Sequence, residues 1–279
     1  MGGKVGKALE LMNAGVQVEI DLDSQDLNNK DIAKFSEALK TNKTAYVVRL
    51  GGNKFDIEGL KLLTDSITVN KHLKRLYLDN SKFGDEGAEM FADAIKRSST
   101  LGVINLSNCE IGPAGAKAIG QALTLNKALH TLYLSDNKIG KDGVKALAEG
   151  LLINKKLKVL VLDRNKIGNS GAAALADLLT KTTTIEQLFL IRNNITSKGS
   201  AKLAESLMTN RSLKLLNLDH NDIGDEGARP FMQVLRENDV VNKIEFDDKT
   251  VSEDWKREFK MRLQRKGDVE RLEKSEQIA

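Results

Sequence analysis

A repeat of 28 residues runs through most of this chain, and it restricts the fold more than any other feature of the sequence. Steps of 28 residues from Leu134, in either direction, land on an apolar residue with no insertion or deletion. These key positions are Leu22, Leu50, Leu78, Leu106, Leu134, Leu162, Leu190, Leu218 and Phe246. Because a short repeat cannot bury its apolar face alone, the period predicts stacked units that share one core.

Other columns of the repeat keep a fixed spacing from the key position. An apolar residue lies two places before it, as at Leu132, and a small polar residue usually lies three places after it, as at Asn137. Apolar residues two apart predict a short strand, and we expect the asparagines to satisfy backbone groups where the chain leaves that strand. Cys109 takes an asparagine position, so we expect it to be a buried structural thiol.

The second half of each repeat has the pattern of a helix. Gly140 and Gly143 precede Val144, Leu147 and Leu151, which fall at helical spacing. The first glycine suits a turn, and the second allows close packing at the start of the helix. We expect left-handed C-caps at the asparagines near the helix ends: Asn42, Asn70, Asn126, Asn154, Asn210 and Asn238.

These columns resemble the ribonuclease-inhibitor-like branch of the leucine-rich-repeat family, whose pattern is LxxLxLxx(N/C)xIxxxGxxxLxxxLxxN. The resemblance covers Gln17 to Val251. It implies an α/β leucine-rich-repeat solenoid of horseshoe shape, with a parallel sheet on the concave face and helices on the convex face. The same repeat occurs in inhibitors, GTPase activators, actin-filament caps, axonemal proteins and innate-immune sensors, so it indicates the fold and not the function.

The repeat divides the chain into three predicted segments. Residues 1–16 form an N-terminal helical cap, residues 17–251 hold eight full repeats and a partial ninth strand, and residues 252–279 form a C-terminal helical cap and tail. In the last segment Trp255, Phe259 and Leu263 share one helical face, which we expect to cover the final strand. The alternative is that this face binds a partner.

Composition restricts the chemistry. The one cysteine, Cys109, excludes an intramolecular disulfide, and with no signal peptide visible it favours the cytoplasm. The net charge, 43 − 39 = +4, is too small for a dedicated nucleic-acid binder. We expect no membrane association, because no apolar run reaches the ~18 residues that span a bilayer. Because motifs for nucleotide binding, acyl transfer and zinc hydrolysis are missing and the histidines are dispersed, we expect no enzyme activity, cofactor or metal.

Side chains that flank the inward leucines should point to the concave surface. Tyr133, Val161 and Phe189 lie on consecutive rungs, about 10 Å in all. We predict that they form an apolar patch with a charged rim, as protein interfaces commonly do, although strands favour such residues in any case. The predicted partner-binding residues are Tyr77, Tyr133, Val159, Val161, Asp163, Arg164, Phe189, Ile191, Arg192, Leu215 and Asp219.

The sequence therefore predicts a non-catalytic intracellular scaffold or adaptor, a monomer or weak homodimer, that binds another protein on its concave face. One alternative is a small-GTPase regulator resembling the Ran GTPase-activating proteins, although that family typically has an acidic tail and this C-terminus has mixed charge. Others are a cytoskeletal or axonemal protein and an immune-sensor type. A true ribonuclease inhibitor is disfavoured, because those proteins are acidic and rich in cysteine.

Overall fold

The computed structural model describes residues 5–246, 249–262 and 264. The chain divides into two compact units, of which the first ends at Val161 and the second begins at Leu162. Within the described residues, none of the helices is long and apolar enough to cross a membrane.

The first unit alternates helices with short strands. Its elements are α1 (Gly6–Met12), β1 (Val18–Asp21), α2 (Asn29–Thr41), β2 (Ala45–Arg49), α3 (Ile57–Val69), β3 (Arg75–Tyr77), α4 (Gly84–Arg97), β4 (Val103–Asn105), α5 (Pro113–Leu123), β5 (Thr131–Tyr133), α6 (Gly140–Ile153) and β6 (Val159–Val161). Each strand from β1 to β5 pairs in parallel with the next one along the chain. Residues 28 apart are partners in the ladder, as Arg49 is of Tyr77, so the sequence period is also the sheet register.

The second unit continues the same alternation. Its elements are α7 (Gly168–Leu179), β7 (Gln187–Phe189), α8 (Ser197–Leu207), β8 (Leu215–Asn217), α9 (Gly224–Glu237) and β9 (Lys243–Glu245). A further helical segment covers residues 253–262. The strands β7, β8 and β9 are parallel and paired in chain order. Parallel strands that alternate with helices in both units confirm the predicted α/β repeat fold.

The core of each unit is aliphatic, as the repeat requires. The key residue Leu134 and its companion Leu132 are fully buried, and so are Leu147 on α6 and Leu175 on α7. Burying one such side chain contributes roughly 1.5–3 kcal/mol. The same three columns recur in successive repeats, so each repeat adds a similar apolar contribution.

The asparagines that follow the strands form a hydrogen-bonded ladder, as expected. The Asn137 Oδ1 accepts from the amides of Cys109 (3.0 Å) and Ile111 (2.9 Å) in the preceding repeat. Its Nδ2 donates to the carbonyl oxygens of Leu106 (2.9 Å) and Leu134 (3.0 Å). One buried side chain thus satisfies backbone groups of two repeats. Because both the oxygen and the nitrogen of the side-chain carboxamide form hydrogen bonds, few other residue types can replace asparagine in this column.

The asparagines at the helix ends have a different backbone conformation from the one expected. Asn154 has an extended backbone (φ −64°, ψ 135°), so the predicted left-handed C-cap is wrong there. Its Nδ2 donates to the carbonyl oxygens of Leu123 (2.7 Å) and Asn126 (3.2 Å), and its Oδ1 accepts from the amides of Lys156 (2.8 Å) and Leu157 (2.7 Å). The same extended backbone is found at Asn42, Asn70 and Asn238. These residues form a second ladder, and the bonding capacity of the side chain explains their presence.

Two glycine roles match the sequence expectation. Gly140 begins α6 with a positive φ of 60°, a conformation that glycine adopts without strain. Gly143 is closely packed, because an added Cβ would lie 2.6 Å from Ile139 Cγ2 of its own repeat and 3.1 Å from Ala116 Cβ of the preceding repeat. A third role is visible only in the structure: a Cβ on Gly150 of α6 would overlap the carbonyl oxygen of Gly120 on α5.

Helix α1 and the helical segment 253–262 pack onto the adjacent repeats. Met12 of α1 is buried, and its carbonyl oxygen accepts from Asn42 Nδ2 (2.9 Å) and Thr44 Oγ1 (2.7 Å). At the other end Phe259 is buried, with its ring centroid 5.0 Å from that of Phe246.

Trp255, which was expected on the same helical face as Phe259, is half-buried. The third predicted member of that face, Leu263, lies outside the described residues, as do residues 1–4, 247–248 and 265–279.

Candidate protein-binding surface

The outward side chains of β1–β6 form a surface that we call the first sheet face. Strand side chains alternate, so residues just before a key leucine point outward while the leucine points into the core. The ladder places Arg49 beside Tyr77, Tyr77 beside Asn105 and Asn105 beside Tyr133. The residue type in this row differs from each strand to the next, whereas the core residues beneath it are the same kind of aliphatic side chain in each repeat.

An arginine–tyrosine stack lies in this row. The Cζ atom of Arg49 lies 4.2 Å from the centroid of the Tyr77 ring, and both side chains are half-buried. Such a cation–π contact contributes roughly 0.5–1 kcal/mol at an exposed site, and it holds both side chains in fixed positions. Tyr77 was predicted as a site residue and Arg49 was not. The 28-residue spacing between them is the signal that could have found the pair.

The remaining predicted residues of the first unit present less surface than expected. Tyr133 is half-buried and pairs with Val161, and Val159 is half-buried and pairs with Thr131. Val161 is 8% exposed, so it belongs to the core more than to the surface. Of the predicted residues in the first unit, Tyr77, Tyr133 and Val159 are therefore the ones that contribute accessible apolar surface.

Acidic residues lie at the carboxyl ends of β1 and β3. Asp23 Oδ1 accepts from the amide of Gly51 (2.7 Å). Burial raises the pKa of the Asp23 carboxyl, and the charges of Asp21 and Asp79 raise it further. Asp79 accepts from Asn105 Nδ2 (3.0 Å), which fixes its carboxylate on the surface. Arg49 is therefore set between a carboxylate cluster and an aromatic ring.

The second sheet face, formed by the outward side chains of β7–β9, holds the other predicted apolar residues. Phe189, Ile191 and Leu215 are each half-buried. The ladder pairs Phe189 with Asn217, whose Nδ2 donates to Glu245 Oε2 (2.6 Å). The apolar residues of this face thus adjoin a polar pair on the following strands.

The charged rim of the second unit is partly structural. Asp163 Oδ1 accepts from the amide of Ile191 (2.8 Å), which is the role Asp23 has in the first unit. Arg164 and Arg192 are exposed on left-handed backbone, with φ of 54° at each. Asp219 is half-buried, and its amide donates to Asn217 Oδ1 (2.9 Å). Asp163 therefore stabilises the backbone of the neighbouring repeat. The sequence predicted it as a rim residue because a structural aspartate and a partner-binding aspartate would both lie beside a key leucine.

The predicted patch has members in both units. Tyr77, Tyr133, Val159 and Val161 belong to the first unit, and the other seven residues belong to the second. Partner binding by these eleven residues stays a prediction.

Cys109 is packed as a structural thiol. The residue is fully buried, and its Sγ lies 3.3 Å from the carbonyl oxygen of Leu78 and 3.4 Å from that of Ser107. Burial raises the pKa of the thiol to about 12. In the part of the chain that the structure describes, no cluster of three or more histidine, cysteine or acidic side chains could hold a metal ion.

We expect the Cys109 thiol to resist chemical modification while the protein is folded. At about pH 8 the raised pKa keeps the thiol protonated, so the thiolate fraction is roughly a thousandfold below that of a free cysteine. Labelling with Ellman's reagent should be very slow in buffer and complete at once in concentrated urea. Rapid labelling of the folded protein would contradict the burial of this residue.

Comparisons with known proteins agree with the repeat. The model described as "Leucine Rich repeat" matches residues 69–92, 97–120, 125–148, 154–176 and 209–232. This chain therefore carries leucine-rich repeats, as the columns predicted. The ribonuclease-inhibitor-like subtype stays a prediction.

Two solved structures resemble parts of this chain. The structure titled "Leiomodin-1 Actin-Binding Site 2" is 18% identical, with a TM-score of 0.45, and the match covers 67% of this chain and 92% of that one. A Caenorhabditis elegans tropomodulin C-terminal domain is 20% identical, with a TM-score of 0.43, and the match covers 48% and 81%. A comparison with curated proteins found no match. Likeness at this level carries no inference about what this chain binds.

Proposed function

We propose that this protein is a non-catalytic interaction module that binds a partner protein through its first sheet face. The observation that supports this most is the half-buried stack of Arg49 on Tyr77, which lies on the same face as Tyr133, on a surface that departs from the repeat. Arginine and tyrosine are over-represented among residues that dominate binding energy. Because the stack already fixes both side chains, binding them costs less conformational entropy.

The charges on this face favour a protein over a nucleic acid. Asp21, Asp23 and Asp79 lie on the first sheet face, and they would repel phosphate groups. A partner that offers an apolar side chain to Tyr77 and Tyr133 and a basic side chain to the aspartates would match the face in both shape and charge.

The finer assignments remain proposals drawn from the sequence. We infer a scaffold or adaptor role in the cytoplasm, which the single buried cysteine supports. The small-GTPase regulator is a second candidate class, and stimulated GTP hydrolysis by a small GTPase would distinguish it from a passive scaffold. Cytoskeletal and immune-sensor roles rest on the repeat family alone.

Changing Tyr77→Ser and Tyr133→Ser together should weaken partner capture at least tenfold, because loss of two aromatic anchors costs about 2 kcal/mol or more of binding energy. The melting temperature should fall by only a few degrees, since both side chains are half-buried and outside the core. Affinity capture from an extract of the source cells, quantified by mass spectrometry, measures the first effect, and thermal denaturation measures the second.

The matched control changes two exposed lysines on the helices of the same unit, Lys61→Ser on α3 and Lys117→Ser on α5. Proteins that both variants lose equally are not partners of the sheet face. If the tyrosine variant captures the same proteins as the wild type at the same yield, the first sheet face is not the binding site.

A further inference from the structure

The loops that follow β2 and β3 enclose a cleft of about 450 Å³ in the first unit. Asn53, Lys54 and Phe55 line it from one loop, and Ser81, Lys82 and Phe83 line it from the next. This volume falls within the range of small-molecule sites. The cleft lies beyond the ends of the strands, so its residues differ from those proposed to bind a protein.

Ser81 is a break in the asparagine ladder. In a regular rung, Asn137 Oδ1 accepts from the amides of Cys109 and Ile111 in the preceding repeat. The equivalent amides at the cleft belong to Asn53 and Phe55. Ser81 is 7% exposed, and within the described part of the chain its Oγ has no hydrogen-bond partner. The serine thus serves neither amide, and a buried hydroxyl is left without a bond beside the cleft.

The walls of the cleft are aromatic. Phe55 and Phe83 are half-buried, whereas Ile111 and Ile139, in the same column of later repeats, are fully buried. The Phe83 ring is stacked on Phe91 with centroids 5.9 Å apart, which fixes one wall. The position without a carboxamide, Ser81, therefore lies next to two phenylalanines where later repeats have isoleucine. Together they line a cleft that is apolar along its walls and polar at one end.

The charges at the mouth of the cleft balance one another. Lys54 and Lys82 are both exposed there, and Lys54 lies 2.9 Å from Asp26. Asp56 also lines the cleft, but its Oδ1 is engaged by Asn29 Nδ2 (2.7 Å) and the amide of Glu58 (2.8 Å). These bonds lower the pKa of Asp56 and keep it ionised. Two lysines and two carboxylates, those of Asp26 and Asp56, therefore leave the mouth without a net charge, and the choice of ligand depends on the hydrogen-bond donors inside the cleft.

We propose that this cleft binds a small organic carboxylate. The carboxylate group accepts from the Ser81 hydroxyl and from the amides of Asn53 and Phe55, and so replaces the acceptor that an asparagine supplies in other repeats. Its apolar body lies between Phe55 and Phe83. Bonds to an ionised acceptor are about twice as strong as neutral ones, which favours an acid over the corresponding amide.

Phenylacetate and its uncharged analogue phenylacetamide test the proposal, with the full chain observed by ¹H–¹⁵N NMR. Phenylacetate should shift the amide signals of Asn53 and Phe55 in a saturable way, and phenylacetamide should bind at least about tenfold more weakly. Ser81→Asn should abolish the shifts and raise the melting temperature, because it restores the ladder. Gln25→Asn, in the same column of the first repeat but outside the cleft, should bind phenylacetate as the wild type does.

Three results would overturn the proposal. They are the absence of any saturable shift at Asn53 and Phe55, equal binding of the acid and the amide, and undiminished binding by Ser81→Asn. The first of these would mean that the cleft holds only water. Because Ser81→Asn introduces the residue that the repeat itself prefers, failure to fold is not the expected outcome, and its melting curve checks this directly.

Discussion

Replacing Asn137 with alanine should destabilise the protein by about 3 kcal/mol or more, because it leaves two buried amides without an acceptor. The amides of Cys109 and Ile111 both donate to Asn137 Oδ1, and both residues are fully buried. Alanine also removes the donor that serves the carbonyl oxygens of Leu106 and Leu134. Chemical denaturation of Asn137→Ala and wild type would measure the difference in the free energy of unfolding.

The neighbouring variant Lys138→Ala is the control. Lys138 is exposed and forms a surface ion pair with Glu110 at 2.8 Å, and exposed pairs of this kind add little to stability. A loss for Asn137→Ala no larger than that of Lys138→Ala would mean that water replaces the carboxamide without cost, and that the ladder does not hold the repeats together.

Gly150→Ala should also destabilise the protein by about 3 kcal/mol, although alanine is the better helix former by about 1 kcal/mol. Gly150 lies inside α6, and its added Cβ would overlap the carbonyl oxygen of Gly120 on α5. Backbone atoms cannot rotate away as a side chain can, so the two helices must separate. The melting temperature and the denaturation midpoint would both show the effect.

The adjacent exposed residue on the same helix gives the comparison. Glu149→Ala also places an alanine in α6, but on the solvent side, and should change stability by no more than about 0.5 kcal/mol. If Gly150→Ala proves neutral or stabilising, the close contact between α5 and α6 is not a feature of the folded protein.

The regular part of this fold could be predicted because one constraint repeats. Register in a parallel sheet follows the spacing of the inward residues, so a period of 28 in the sequence becomes the pairing of Arg49 with Tyr77. The role of Asn137 followed from its position after a strand. The role of Asn154 was mistaken, because a helix end offers asparagine either a left-handed backbone or side-chain bonds to its neighbours. Only the contact with the preceding repeat decides between them.

The candidate site was less predictable, because it depends on which side chains meet across rungs. Tyr77 was expected on the surface, but its stack with Arg49 depends on the rotamers of both side chains. Val161 was expected to be exposed because it precedes a key leucine, yet its neighbours bury it. The break in the asparagine column at Ser81 is visible in the sequence, whereas the cleft beside it also needs the sizes of Phe55 and Phe83.

Site-specific photo-cross-linking can show directly whether a partner protein binds the first sheet face. Benzoylphenylalanine would replace Tyr77 in one protein and Lys117, on the exposed side of α5, in another. After the protein is irradiated in an extract of the source cells, we expect a discrete cross-linked species from position 77 and none from position 117. A discrete species at position 117, with none at position 77, would contradict this expectation and place the binding surface on the helices.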